Sequence, residues 1–333
     1  MNNLTTLLAK ILKFMVQIWK TIAIFIGSSF MLIMIILVVA IVKLSSAENL
    51  SDNTKTITAG SNEEIAYVRL AGEIAYSTDD SWLSFNPFVI DPHRLRPFFK
   101  DLSNNSAIKA VVLEINSPGG SVAASEEIYQ EVVKLDLVKP VYAYFGETAA
   151  SGGYYIALPA RKIFASIPTI TGSIGVIAFD PDLSGLFDKL GVKMETYQTG
   201  QFKDLGSTSR AATDAERAIF TDLIDDSYQL FIDRIEENRT LDRNTILTLA
   251  DGRVYSGKQA AANGLIDQVG TLDNLFSTVE QDLGLNSPTI KEYTPSGGAF
   301  GSLLGAKLGH ILPSALLGSS LQSRQGLHYL WVR

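Results

Sequence analysis

The chemistry this sequence can offer gathers at two serines, one lysine and two glycine turns. Ser151 lies in Thr148-Ala-Ala-Ser-Gly-Gly153, with small residues on both sides and a helical stretch behind it. A hydroxyl there stands at a helix start, where neighbouring amides can stabilise an oxyanion. The same position also suits a plain N-cap. Some thirty residues earlier, Asn116-Ser-Pro-Gly-Gly-Ser121 joins an apolar strand to a helix. Two glycines at such a turn let the backbone approach a ligand and aim N–H groups at it, although an ordinary tight turn reads the same way. No Gly-Lys-Ser/Thr follows, so it is not a phosphate loop. Taken together, one motif supplies a nucleophile and an amide and the other a second amide, the set that acyl transfer needs.

A serine is inert without a base, and composition narrows the choice. The 333 residues include no cysteine, which excludes a thiolate nucleophile, a disulfide framework, thiolate zinc and iron–sulfur clusters. Only His93, His310 and His328 are present, so no HExxH helix exists, and neither metal nor cofactor is expected. A Ser-His-Asp triad would have to recruit His93 or a histidine from the last 24 residues. Lysine can replace histidine where its surroundings hold the amine neutral. Lys203, in Thr199-Gly-Gln-Phe-Lys-Asp-Leu205, follows a predicted strand; on its own, a lysine there reads as a solvated surface charge. Ser173, in Thr171-Gly-Ser-Ile-Gly175, could orient an amine or simply form a turn.

Elements able to position these residues run from about 63 to 285. The pattern predicts strands at 64–70, 108–115, 140–145, 162–166 and 193–197, and helices at 121–135 and 150–158. The near-continuous apolar run Ile108–Ile115 suits a buried parallel strand. Thr213-Asp-Ala-Glu216 is a capping box opening a long helix with Ile219, Leu223, Ile224, Leu230, Phe231 and Ile235. Such alternation implies an α/β domain with right-handed crossovers.

Residues 21–43 form a span long enough for a bilayer, preceded by a segment at 1–20. A cleavable signal peptide is the alternative, with Leu44-Ser-Ser-Ala47 as its site. Residues 1–43 carry four lysines and no acid, and acids follow the span, which predicts a cytoplasmic N-terminus and an extracytoplasmic body. Residues 44–62 read as a linker and 286–333 as a tail. Beyond the span, 35 acids stand against 24 bases, which argues against nucleic acid as a partner.

The motifs NSPGGS (116–121), ETAASGGYY (147–155), TGSIGV (171–176), YQTGQFKD (197–204) and GRVYSGKQAAANGLID (252–267) resemble the signal peptide peptidase A family in its short form. The resemblance implies a membrane-anchored Ser/Lys protease with the Clp-protease/crotonase fold. Ser151 would then be the nucleophile and Lys203 the general base. Ser173 would hold the lysine, and the amides of Gly120 and Gly152 would form the oxyanion hole. The family's short form further implies a homo-oligomeric ring whose dyad is completed between subunits. Expected substrates are residual signal peptides and other hydrophobic peptides.

Small or apolar residues are expected beside the scissile bond, from Ala149, Ala150, Ile174, Val176 and Ile177. Two alternatives stay open. A crotonase-type acyl-CoA enzyme would share the two-amide hole but needs a different acid–base pair. A membrane scaffold could keep the fold without catalysis. The tail from about Ser296 is glycine-rich, apolar and free of acids, so it could occupy its own peptide groove or lie on the membrane surface.

Overall fold

The computed structural model describes residues 54–77, 89–295 and 328–330, together with Met15, Trp19, Met31 and Met34. The predicted span at 21–43 lies outside these residues apart from its two methionines. Among the described residues, no helix is long and apolar enough to cross a membrane.

A mostly parallel sheet forms the centre. Its order is β1 (Thr54–Thr58), β12 (Thr289–Tyr293), β2 (Glu64–Ala71), β5 (Ile108–Ser117), β7 (Val141–Ala150), β8 (Ile163–Ala165) and β11 (Gln268–Val269). From β12 to β11 every neighbouring pair is parallel; β1 joins β12 antiparallel. Strands β1 and β12 lie within the expected linker and tail, and close the sheet on that side. Ala110 to Leu113 of β5 are wholly buried, as a strand covered on both faces requires. On one face, Ile65, Tyr67, Val112, Tyr142 and Phe164 pack under Leu275, Phe276 and Val279 of a late helix, Leu272–Leu283.

Helices α1 (Pro92–Asn104) and α2 (Val122–Asp136) pack together, α2 beginning where the sequence places it, with Ser121 accepting the amide of Ala124. The predicted helix over 150–158 is a single turn, α3 (Gly152–Tyr155), followed by irregular turns. Next come α4 (Ser184–Leu190), α5 (Asp214–Asn238), α6 (Arg243–Leu249), α7 (Gly257–Ala262) and α8, the helix Leu272–Leu283 already met. The capping box at Thr213 and Glu216 forms as the sequence predicts.

Two expectations fail. Residues 193–197 form no strand: they are exposed, and no sheet edge offers them a ladder. The apolar stripe of α5 is buried only in its second half, at Phe231, Ile232 and Ile235, whereas Leu223 is 46% exposed. The segment before α5 is equally open, with Phe179, Leu186, Leu190, Met194 and Tyr197 exposed.

A second, small sheet runs in the order β13 (His328–Leu330), β6 (Gly119–Ser121), β3 (Glu73–Ile74) and β4 (Val89–Ile90). Strand β6 belongs to the Pro-Gly-Gly turn. Its partner β13 comes from the end of the chain and runs antiparallel to it.

Candidate active site

Strand β7 ends at Ala150 and delivers Ser151 at the N-cap position of α3, with φ 53° and ψ −116°. Non-glycine residues rarely adopt such a conformation, which costs roughly 1–3 kcal/mol unless the surroundings impose it. Here they do. Tyr154 and Tyr155 of α3 are fully buried: the Tyr154 hydroxyl donates to the Leu265 carbonyl at 2.7 Å, and the Tyr155 hydroxyl donates to Glu126. Tyr155 also meets Phe231 edge-on, with ring centroids 4.9 Å apart.

The plain N-cap reading of Ser151 fails in this geometry, because its side chain makes no capping hydrogen bond. Ser151 is 1% exposed, and its Oγ is a buried polar atom without a hydrogen-bond partner among the described residues. Native structures satisfy buried hydroxyls with few exceptions, and the exceptions call for an explanation.

Ser173 enters through a neighbouring ladder. Strand β9 (Ile170–Gly172) pairs parallel with the end of β7, Ala150 standing opposite Gly172. The Ser151 amide donates to the Gly172 carbonyl at 2.7 Å, so Ser173 is the next residue after that rung. Ser173 also has positive φ, 51°, and its amide donates to Arg253 just before β10 (Val254–Ser256). Among the described residues only three non-glycines have positive φ, and two of them are Ser151 and Ser173.

Gly152 and Gly120 are brought together from two loops. A Cβ on Gly152 would stand 3.2 Å from the Gly120 amide nitrogen and 2.6 Å from Ser125 Oγ. A Cβ on Gly120 would fall 1.9 Å from the Ile74 carbonyl oxygen of β3. A larger residue at Gly120 collides with backbone, and one at Gly152 collides with the Ser125 hydroxyl. Ser117, Ser125 and Thr171 brace these turns, features the sequence reading did not single out. Ser117 Oγ accepts the Gly119 amide, Ser125 Oγ donates to Ser121, and Thr171 Oγ1 donates to Ala149.

Lys203 is not part of this cluster. It is exposed, and its amine has neither a hydrogen bond nor an ion pair among the described residues. Its neighbour Asp204 is held instead. Arg210 grips Asp204 through Nε and Nη2, both at 2.8 Å, and Glu216 through Nη1 and Nη2 at 2.9 and 2.6 Å. Hydrogen bonds from Arg210, then from the Thr213 amide, hold the Glu216 carboxyl down to about 2. Arg210 likewise lowers Asp204. Neither Arg210 nor its bridge has a sequence signal beyond the capping box itself.

A cleft of about 620 Å³ opens beside Ser173, lined by Ile174, Val176, Ile177 and Phe179 against Ile224 and Tyr228 of α5. Ala149 and Ala150, expected to flank a substrate, are instead buried in the sheet. His93 sits on α1, its ring against Tyr76, while His310 lies outside the described residues.

The sequence profile of peptidase family S49 matches residues 134–286, a stretch that includes Ser151, Ser173 and Lys203. A relative from Enterococcus faecium, named as signal peptide peptidase SppA, is 36% identical over 250 residues, covering 74% of this chain and 72% of that protein. A relative from Methanocaldococcus jannaschii, named as a protease, is 34% identical, covering 79% of this chain and 85% of that protein. The chloroplastic serine protease SPPA of Arabidopsis thaliana is 34% identical over 236 residues, 34% of that longer protein. Matches of this extent, around a buried serine at the mouth of a strand-to-helix turn, make the chain a serine protease that belongs to peptidase family S49, the signal peptide peptidase A family.

Proposed function

We propose that this protease is a membrane-anchored endopeptidase in which Ser151 is acylated and Lys203 of a neighbouring subunit is the general base. The observation that carries the reading is Ser151 Oγ, buried, unpartnered and held in a strained turn. The Lys203 amine takes the Oγ proton while Oγ attacks the scissile carbonyl carbon. The Gly120 and Gly152 amides then donate to the developing oxyanion. The tetrahedral adduct collapses, breaking the C–N bond, and the lysine ammonium returns its proton to the leaving amine. A water deprotonated by the same lysine then hydrolyses the ester. Ser173, one residue beyond the rung shared with Ser151, hydrogen-bonds the amine and fixes its direction.

Assembly between subunits is supported by two features of the single chain. Lys203 stands free on an exposed segment, and apolar side chains in the stretch before it, including Leu190, Met194 and Tyr197, lie open. Apolar surface of that kind marks a protein interface. A ring of identical subunits satisfies both and admits only extended chains to sites between subunits. The substrates are residual signal peptides and other hydrophobic peptides, suited to the apolar cleft beside Ser173. The span at 21–43 anchors the enzyme, with the N-terminus cytoplasmic and the body outside. A crotonase-type activity is disfavoured by family membership.

Within this reading β13 occupies the strand position that an extended substrate would take on β6. His328–Leu330 of the tail are then a self-bound segment. The test is peptide cleavage by the detergent-purified protein beside Ser151→Ala, Lys203→Ala and Lys203→Arg. All three should lose roughly four orders of magnitude or more in kcat, arginine failing because a guanidinium keeps its proton. An active Lys203→Arg enzyme removes Lys203 from the role.

A further inference from the structure

We infer that Arg210 is a positioning residue for the proteolytic reaction, fixing the loop of Lys203 by bridging Asp204 to Glu216. The inference rests on Lys203 being the base.

The stretch that carries Lys203 has almost nothing else to hold it. From residue 175 to residue 230, Glu216 is the one buried residue among those described. No apolar anchor fixes the loop, so its geometry must come from polar contacts. Arg210 supplies them in a form few side chains could match. Its planar fork meets Asp204 side-on through Nε and Nη2 and Glu216 end-on through Nη1 and Nη2. Bidentate pairs fix orientation as well as distance, and guanidinium gives up little freedom on forming them. Glu216 is fixed in turn, accepting from the amide of Thr213 at 2.7 Å and its hydroxyl at 3.0 Å. Asp204 thus connects, through one arginine, to the first turn of the 25-residue α5. Lys203 is the adjacent residue, and its backbone direction follows from that of Asp204.

The competing account is that the bridge only secures the start of α5. The capping box already does that, since Thr213 and Glu216 satisfy each other without Asp204. The Asp204 arm is superfluous to the helix. It is what a placed lysine would need, because an error of about 1 Å in a catalytic group can cost on the order of 10²-fold in rate.

The full-length enzyme in detergent tests this with Asp204→Asn, Arg210→Gln and Arg210→Lys, beside Lys203→Ala. Asp204→Asn frees the lysine side and leaves the helix cap. Asp204→Asn and Arg210→Gln should each lower kcat by about 10²-fold, with KM within about twofold and the oligomer intact. Arg210→Lys should not restore activity, since an ammonium cannot grip two carboxylates in bidentate pairs. Labelling of Ser151 by a small fluorophosphonate should slow in the same proportion as kcat, although it involves no peptide subsites. Wild-type kcat in Asp204→Asn, or losses that only track oligomer dissociation, would overturn the inference. If Arg210→Gln fails to fold, Asp204→Asn decides alone. Wild-type activity in Lys203→Ala would instead remove the base assignment and this inference with it; a dead Lys203→Ala beside a normal Asp204→Asn sinks only the inference.

Discussion

The amide of Ser151 donates to the carbonyl of Gly172 at 2.7 Å, so the two positive-φ serines of the site flank a single rung between β7 and β9. That rung makes the position of Ser173 a consequence of the sheet register rather than of a flexible loop. A turn of this kind cannot shift on one side without the other. The two serines therefore form one rigid unit, and in the proposed mechanism Lys203 is what must be brought to it.

Gly120 should be irreplaceable for rate. A Cβ there would stand 1.9 Å from the Ile74 carbonyl, so alanine must push β6 off β3 and turn the Gly120 amide away from the oxyanion. Gly120→Ala should lose roughly 10²–10³-fold in kcat, the cost of one oxyanion donor. Gly185→Ala, where a Cβ meets nothing within 4 Å, is the control and should cleave normally. Equal activities in the two variants would rule out the Gly120 amide as a donor.

The tail should compete with substrate. Strand β6 has β3 on one edge and β13 on the other, so no edge is left for an extended peptide until β13 leaves. A tethered segment has an effective concentration on the order of millimolar, enough to fill a weak site. Truncation after Gln325 should lower the apparent KM for short peptides by about tenfold in detergent, with kcat unchanged. An unchanged KM would leave the tail without this role. An inactive truncation would equally contradict a merely competitive tail.

The Arg210 bridge should set the acid limit of the Lys203 segment. Glu216 is lowered to about 2 and Asp204 is lowered too, both mainly by hydrogen bonds from Arg210. A depressed carboxyl stabilises the folded state above its unfolded value, and that contribution is lost as pH falls through the folded one. Amide protection across 204–216 should therefore survive acidification through about pH 4 and decay toward pH 2. In Arg210→Gln the decay should begin near pH 4 to 5. Hydrogen exchange followed by mass spectrometry reads this directly, and identical profiles would exclude the bridge as the cause.

Much of this site was legible in the sequence because it is local. The apolar run at 108–115, the glycines at 119–120 and 152–153 and the Thr213 capping box each encode their own geometry within a few residues. What failed depended on long-range partners. The strand expected at 193–197 alternates convincingly but finds no edge, and the apolar residues in the first half of α5 are half-buried or exposed, not buried. The Arg210 bridge was invisible because its partners lie six residues away on either side, a spacing that no helix or strand period marks. The tail from about Ser296 was expected to reach the peptide groove; its residues 296–327 lie outside the described ones, and three residues near its end, His328–Leu330, pair with β6 through backbone alone.

The central claim is that Ser151 of one subunit works with Lys203 of the next. Separately tagged Ser151→Ala and Lys203→Ala subunits, each inactive, can be co-assembled and purified through both tags. In a ring with one direction of contact, random mixing leaves about a quarter of the sites with both residues intact, so peptide cleavage should return to about a quarter of the wild-type rate. Mixed rings that carry both tags and still fail to cleave would contradict the account.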